Sequence, residues 1–370
     1  MMDERARHST WVTVDLDRIR NNVRYFVNRS GAQVMAIVKA NAYGHGAVPV
    51  TQAALEAGAT WCGVARVNEA LELRQAGISC PILILGYTPP ACYAEMIDQR
   101  VSMTVWELNQ IEDIAAAASA ANQKASLHLK VDTGMSRLGV KPEDVSGILR
   151  EAASFTNVQL EGLFTHFARA DEADPKPTDA QEELFQGVLE ELRSAGVQIP
   201  VVHAANSAAS LTRPGDYFNC IRLGIAMYGL HPSSECPLPP VFRPALAWKS
   251  VLSQVKRLPA GRGVSYGHEY ITTREERIGT VPVGYADGFR RVPGNQVLVR
   301  GRKVPVVGRV TMDQIMVQLD AVPEAGPGDE VVILGPQGEE SIPAEEIAAR
   351  WGTINYEVTS GIAHRVPRIY

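Results

Sequence analysis

An apolar run that ends in a lysine is the first place in this chain where chemistry can be read. A-I-V-K-A-N-A-Y-G-H-G puts Lys39 at the mouth of a β-like run and Tyr43 in the glycine-punctuated loop behind it. A lysine partly withdrawn from water loses stabilisation of its charge, so its pKa falls and the amine becomes a nucleophile toward carbonyls. The same position suits a surface lysine whose stem lies along apolar neighbours. Other run ends carry Lys130, Asp132 and Arg137 in L-K-V-D-T-G-M-S-R-L-G, His166 in L-F-T-H-F, Asn206 and Ser207 in H-A-A-N-S-A-A, and Arg222 in I-R-L-G-I-A-M-Y-G. Together they suit an anionic, aromatic ligand. Gly224 and Ile225 offer bare amides and Ser207 opens a helix, so a phosphate could be held by N–H groups alone. Neither G-x-x-x-x-G-K-[ST] nor G-x-G-x-x-G is present, which argues against nucleotide hydrolysis and dinucleotide binding. Taken singly, each residue has a structural reading: His166 a satisfied core histidine, Arg222 half of an ion pair, Ser207 a helix cap. Their placement on successive run ends favours a common site.

The elements that must position these residues are short β-like runs at Val34–Val38, Thr60–Ala65, Pro81–Gly86, Val101–Val105, Ser126–Val131, Val158–His166, Val201–Ala205 and Cys220–Tyr228. Several are almost continuously apolar, as parallel strands buried on both faces must be. Segments of helical spacing lie between them, such as Leu184, Phe185, Val188, Leu189 and Leu192, or Trp106, Ile111, Ile114 and Ala115. Eight βα units in about 230 residues predict a (β/α)8 barrel over 12–235, with reactive groups at the carboxyl ends of its strands. Periodicity leaves an open, doubly wound sheet as the other arrangement. Past the linker H-P-S-S-E-C-P-L-P-P the texture changes to period-two alternation in P-A-L-A-W-K-S-V-L-S-Q-V-K-R-L and short runs at Gln296–Val299, Lys303–Val307 and Glu330–Leu334 between Gly and Pro turns. Residues 236–370, with 1–11, are expected to form a second, mainly antiparallel β domain.

Composition narrows the partners. The chain has 370 residues, 45% of them hydrophobic and 21% charged, an ordinary globular balance. A formal net charge of −5 supplies no basic field for a nucleic-acid backbone. Cys62, Cys80, Cys92, Cys220 and Cys236 are scattered and show no zinc spacing, so no metal is expected and a reducing cytoplasm fits best. The charged start M-M-D-E-R-A-R-H-S-T and the lack of an apolar run approaching ~18 residues predict no leader peptide and no membrane span.

Assembled in order, A-I-V-K-A-N-A-Y-G-H-G, V-D-T-G-M-S-R-L-G, R-L-G-I-A-M-Y-G, V-S-Y-G, G-Y-A-D-G and M-D-Q resemble the bacterial alanine racemases, pyridoxal-phosphate enzymes of fold type III. The resemblance runs from T-V-D-L-D to R-V-P-R-I-Y. It implies that Lys39 holds the cofactor through its amine and then acts as acid or base on one face of the substrate Cα, with Tyr266 of V-S-Y-G as partner on the opposite face. It implies that Arg222 faces the pyridine nitrogen, that His166 packs on the ring, and that Tyr43, Ser207, Gly224, Ile225 and Tyr356, with Asn206 beside them, hold the phosphate end. Arg137 is implied at the substrate carboxylate, helped by Met312 and Tyr285, with Lys130 carbamylated to orient Arg137. It further implies a head-to-tail homodimer with shared active sites, supplying D-alanine for cell-wall peptidoglycan.

Two departures from the family pattern bear on substrate size. Thr311 stands before Met312 where many members have Cys, and T-S-G-I-A-H follows N-Y-E-V in place of a Pro-Cys-Thr pattern. Racemases of serine or of larger amino acids are therefore the nearest alternative. A fold III decarboxylase would instead pair the pyridine nitrogen with a carboxylate, and a non-catalytic cofactor-binding module would not need the second-face acid Tyr266.

Overall fold

All eight apolar runs become parallel strands: Gln33–Ile37, Trp61–Val64, Ile82–Ile84, Val101–Val105, Ala125–Lys130, Val158–Phe164, Val201–His203 and Cys220–Leu223. The computed structural model describes residues 7–213, 215 and 218–370. In the sheet, Val201–His203 and Cys220–Leu223 occupy the two ends of the strand order. These ends approach each other, because Asn219 N–H donates to Val202 O and Arg222 N–H donates to Ala205 O at 2.9 Å. The sheet therefore curls into a near-closed barrel, the arrangement that periodicity alone left undecided.

Every residue of Trp61–Val64, Ile82–Ile84, Val101–Val105 and Cys220–Leu223 is buried, as a helix-covered parallel sheet requires. The covering helices follow the apolar spacing. Leu16–Ser30 buries Ile19, Val23 and Phe26 on one stripe, and Lys176–Ser194 buries Phe185, Val188 and Leu192. Leu184, counted with that stripe from sequence, faces solvent. Cys220–Tyr228 is not one strand: it stops at Leu223, Gly224 turns the backbone, and Ile225–Tyr228 forms a 3-10 turn.

A second unit carries the alternating strands. Thr10–Val14, Leu246–Val251, Gln254–Leu258, Glu276–Val281, Gln296–Val299, Arg302–Val307, Ile315–Gln318 and Glu330–Gln337 pair antiparallel, and only Arg368–Ile369 adds in parallel, beside Thr10–Val14. Leu246–Val251 alternates buried and half-buried residues strictly, so that Trp248 enters the core. By packing, one unit comprises Asp17–Ala42 and Ala47–Arg243, and the other the described residues up to Leu16, Tyr43–Gly46 and Pro244–Tyr370. The divisions thus fall at 16/17 and 243/244, where composition places them at 11/12 and 235/236. Among the described residues no helix is long and apolar enough to cross a membrane.

Candidate active site

Lys39 leaves the barrel strand Gln33–Ile37 and enters a left-handed turn. Ala40, Asn41, Ala42 and Tyr43 all have φ between +51° and +54°, a conformation that costs a non-glycine residue about 1–2 kcal/mol each. The expectation of a glycine-punctuated loop missed this, since none of the four is glycine. Local bonds hold the turn: Ala40 N–H donates to Glu69 Oε1 at 2.6 Å, Ala42 N–H to Val38 O at 2.8 Å, and Asn41 Oδ1 accepts from Ala47 N–H at 2.8 Å. Glu69 is fixed in turn by the amides of Ala65 and Arg66. Burial, then the charge of Arg137, holds the Lys39 amine below the ordinary lysine pKa, with Glu69 opposing.

Arg222, in the strand Cys220–Leu223, reaches residues at the ends of Val158–Phe164 and Val201–His203. Nη1 donates to His203 Nδ1 at 2.9 Å and to His203 O; Nη2 donates to Thr165 O, Ala204 O and His166 Nδ1 at 2.8–2.9 Å. Among the described residues Nε makes no hydrogen bond and no carboxylate pairs with the guanidinium. The ion-pair reading of Arg222 is therefore wrong: its partners are all neutral. Burial lowers its pKa to about 10, leaving it charged at neutral pH. Because Arg222 can only donate, His166 Nδ1 must accept, and burial with the nearby Arg222 charge keeps that imidazole neutral. The amine of buried Lys130 lies over the Phe164 ring, 5.1 Å from its centroid, and burial followed by the charges of Arg222 and Arg137 brings it down to about 7.

Arg137 is exposed on a loop that Asp132 shapes, its Oδ1 accepting from Gly134 and Ser136 N–H at 3.0 and 2.9 Å. Asp132 thus folds the loop. Past the strand Val201–His203, Asn206, rather than Ser207, caps the helix Ser207–Thr212, accepting from Ala209 N–H at 3.0 Å. The buried Ser207 hydroxyl instead accepts from Gly224 and Ala226 N–H at 2.9 and 3.3 Å. Two amides thus converge on one oxygen, that of the Ser207 hydroxyl itself.

The remaining candidates lie in the other unit. Tyr266 is 71% exposed on a turn between Ser265 and Gly267, both at positive φ. Gly284 has no room for a Cβ, which would fall 2.2 Å from Met312 O; this close approach lets Tyr285 N–H reach Thr311 O and Ala286 N–H reach Met312 O, both at 3.0 Å. Thr311 closes its turn through its hydroxyl, bonded to Gln314 O at 2.8 Å, so the change from the family's Cys has a local structural use. Asp287, Asp313 and Arg365, not singled out from sequence, brace this edge, with Arg365 bonded to both acids. The signal for the two acids lay in G-Y-A-D-G and M-D-Q, and that for Arg365 in R-V-P-R-I-Y. Tyr356 lies with its ring 6.0 Å from that of Tyr43, whose phenol burial raises to about 12. Among the described residues no group of three His, Cys, Asp or Glu could hold a metal.

A strand-end lysine with a depressed pKa, a buried arginine without an acid, and two amides converging on a serine hydroxyl sit on strand ends in the order of the racemase motifs. Family models match most of the chain: "Alanine racemase, N-terminal domain" matches residues 14–232 and "Alanine racemase, C-terminal domain" matches 245–370. A relative from Desulfovibrio desulfuricans named alanine racemase is 44% identical, covering 97% of each chain. The solved alanine racemase of Clostridium difficile is 40% identical with a TM-score of 0.94, covering 98% of this chain and 96% of that one. A Bacillus anthracis alanine racemase solved with L-Ala-P bound is 44% identical with a TM-score of 0.92, covering 98% and 95%. With similarity of this extent in both halves, the chain belongs to the alanine racemase family.

Proposed function

We propose that the chain racemises alanine with pyridoxal phosphate held at Lys39. The observation that carries this reading is the fully buried Arg222 cation, surrounded by neutral acceptors and with Nε unengaged, on the strand beside Lys39. The residues present fit the cofactor: an amine with a depressed pKa for its aldehyde, the Ser207 hydroxyl with the amides of Gly224 and Ala226 that now bind it for its phosphate, and Nε of Arg222 for its ring nitrogen. When bound, the cofactor supplies an electron-withdrawing ring that acidifies the substrate Cα–H. Lys39 moves that proton on one face of Cα and Tyr266 on the other, because inversion needs a donor and an acceptor on opposite sides. Arg222 keeps its own proton, so it leaves the ring nitrogen uncharged and restrains electron withdrawal, which disfavours transamination. A decarboxylase would need an acid at that place, and none of the described residues provides one.

In this reading Tyr43, Tyr356, Asn206, Ser207, Gly224 and Ile225 serve the phosphate end, His166 the ring, and Arg137, Met312 and Tyr285 the substrate. The barrel segment 12–235 binds the cofactor, and 236–370 with 1–11 brings the second acid. Tyr266, Tyr285 and Met312 are all about half exposed or more in the single chain, which supports a head-to-tail homodimer in which they complete the partner's site. The free thiols support action in the cytoplasm, with D-alanine going to peptidoglycan. Chiral analysis of products from a panel of L-amino acids, with and without added pyridoxal phosphate, tests the reading. Racemised alanine is expected; a decarboxylated product or no turnover would overturn it.

Lys130 is proposed to carry a carbamate that orients Arg137. Carbon dioxide adds only to an uncharged amine, releasing a proton, and an amine at about 7 is largely uncharged just above neutrality. The sign follows: protons compete with carbon dioxide for the same lone pair, so the adduct forms as pH rises through about 7 and is lost below it. A carbamate resonance from labelled bicarbonate, present above that pH and missing in Lys130→Met, is the expected result.

A further inference from the structure

Behind Arg222, the barrel interior holds a line of polar groups that reaches toward the other end of the strands. His203 Nδ1 accepts from Arg222, and its Nε2 lies 3.0 Å from His128 Nδ1. His128 Nε2 in turn lies 3.4 Å from Glu161 Oε2, within ion-pair range though it makes no hydrogen bond of normal geometry; that carboxylate oxygen also accepts from Ser102 Oγ at 2.6 Å. Both imidazoles are fully buried, whereas the Glu161 side chain is 22% exposed. Phe164 stacks on His203 at 4.6 Å and Trp61 meets His128 edge-on at 5.4 Å, so neither ring can turn freely.

The backbone makes special room for this line. Leu127 pairs with Leu160 but His128 pairs with Gly162, so Glu161 is the extra residue of a bulge, a device that re-aims a side chain. A Cβ on Gly162 would sit 2.2 Å from His128 Nδ1, so only glycine seats the imidazole there.

An arginine can only donate, which sets the direction of the line at one end, and the later bonds keep that direction when an acceptor stands at the other. His203 must accept at Nδ1 and carry its proton on Nε2, which donates to His128 Nδ1. His128 then carries its proton on Nε2, toward Glu161. A second proton on His128 would set N–H against N–H at 3.0 Å, and burial, then the charge of Arg222, opposes any added positive charge on His203.

We propose that Glu161 and His128 are positioning residues for Arg222: a carboxylate accepting at one end and a guanidinium donating at the other lock both imidazoles as neutral Nε2–H tautomers. So braced, Arg222 presents Nε in a single orientation. This rests on Arg222 facing the cofactor ring, but the tautomer lock is a property of the chain itself. The test is nitrogen-15 NMR of full-length, histidine-labelled protein, first without and then with pyridoxal phosphate, assigned with His128→Gln and His203→Gln. Wild type should show both residues as uncharged Nε2–H forms from about pH 6 to about pH 9. Glu161→Gln, whose amide oxygen can still accept, should keep the pattern. Glu161→Ala should lose the single-tautomer pattern and shift the Arg222 Nε–H resonance. An Nδ1–H or cationic form of either imidazole in wild type overturns the proposal, as does Glu161→Ala with unchanged spectra. If Glu161→Ala does not fold, the wild-type tautomers and Glu161→Gln still decide. Failure of racemisation with intact tautomers would indict the functional reading instead.

Discussion

Lys39→Ala is expected to bind pyridoxal phosphate without a covalent link and to lose racemisation by at least about 10²–10⁴-fold, the usual effect of removing an acid or base. Two roles disappear at once, since the same amine anchors the cofactor and moves a proton at Cα. Borohydride treatment followed by mass analysis separates them: wild type should gain the cofactor's mass on the peptide bearing Lys39, and the variant should gain none. The lowered pKa of Lys39 accords with its part as the attacking amine. Burial and Arg137 hold the amine below its ordinary value, so a larger share is uncharged and reactive at neutral pH than on a surface lysine. Persistence of the covalent adduct in Lys39→Ala would mean that another lysine, with Lys130 the first to examine, is the attachment point.

Tyr266→Phe should cost about 10²–10⁴-fold in turnover with unequal effects in the two directions. Each enantiomer presents its α-proton to one face only, so losing the phenol slows proton removal from one enantiomer and, in the reverse direction, the proton return that forms that same enantiomer. Deuterium at Cα should therefore give isotope effects that differ for L- and D-alanine. Near-native rates in both directions would end the two-face scheme. Mixing Lys39→Ala with Tyr266→Phe extends the test to assembly. If each site takes Lys39 from one protomer and Tyr266 from its partner, mixed dimers contain one intact pair and recover part of the activity. No recovery after proven subunit exchange would confine both residues to one chain.

The barrel strands were legible because a strand buried on both faces must be apolar throughout, and P-I-L-I-L-G or V-M-A-I-V has no other economical use. Near-closure was not, since it depends on bonds such as Arg222 N–H to Ala205 O that leave no periodic trace. Leu184 fitted the helical stripe by type yet lies on the solvent side, because apolar identity at one position does not fix the face. The Lys39, Lys130, His166 and Arg222 group could be listed from strand ends. Its electrostatics could not, because the neutral partners of Arg222 come from four separate positions. His128 and Glu161 were invisible for a further reason: a bulge breaks the alternation that would have pointed Glu161 outward. The left-handed turn left no mark either, since Ala, Asn, Ala and Tyr carry no signature of that backbone.

That turn limits how far the motif can travel. In a free peptide the stretch from Ala40 to Tyr43 would coil with the ordinary hand, and only surrounding groups such as Glu69 and the amide of Ala47 force the mirror form. Transplanting A-I-V-K-A-N-A-Y-G-H-G onto a foreign scaffold would carry over the letters without the chirality of the mount. The reactive amine would then project along a different line from its host, however faithfully the string was copied.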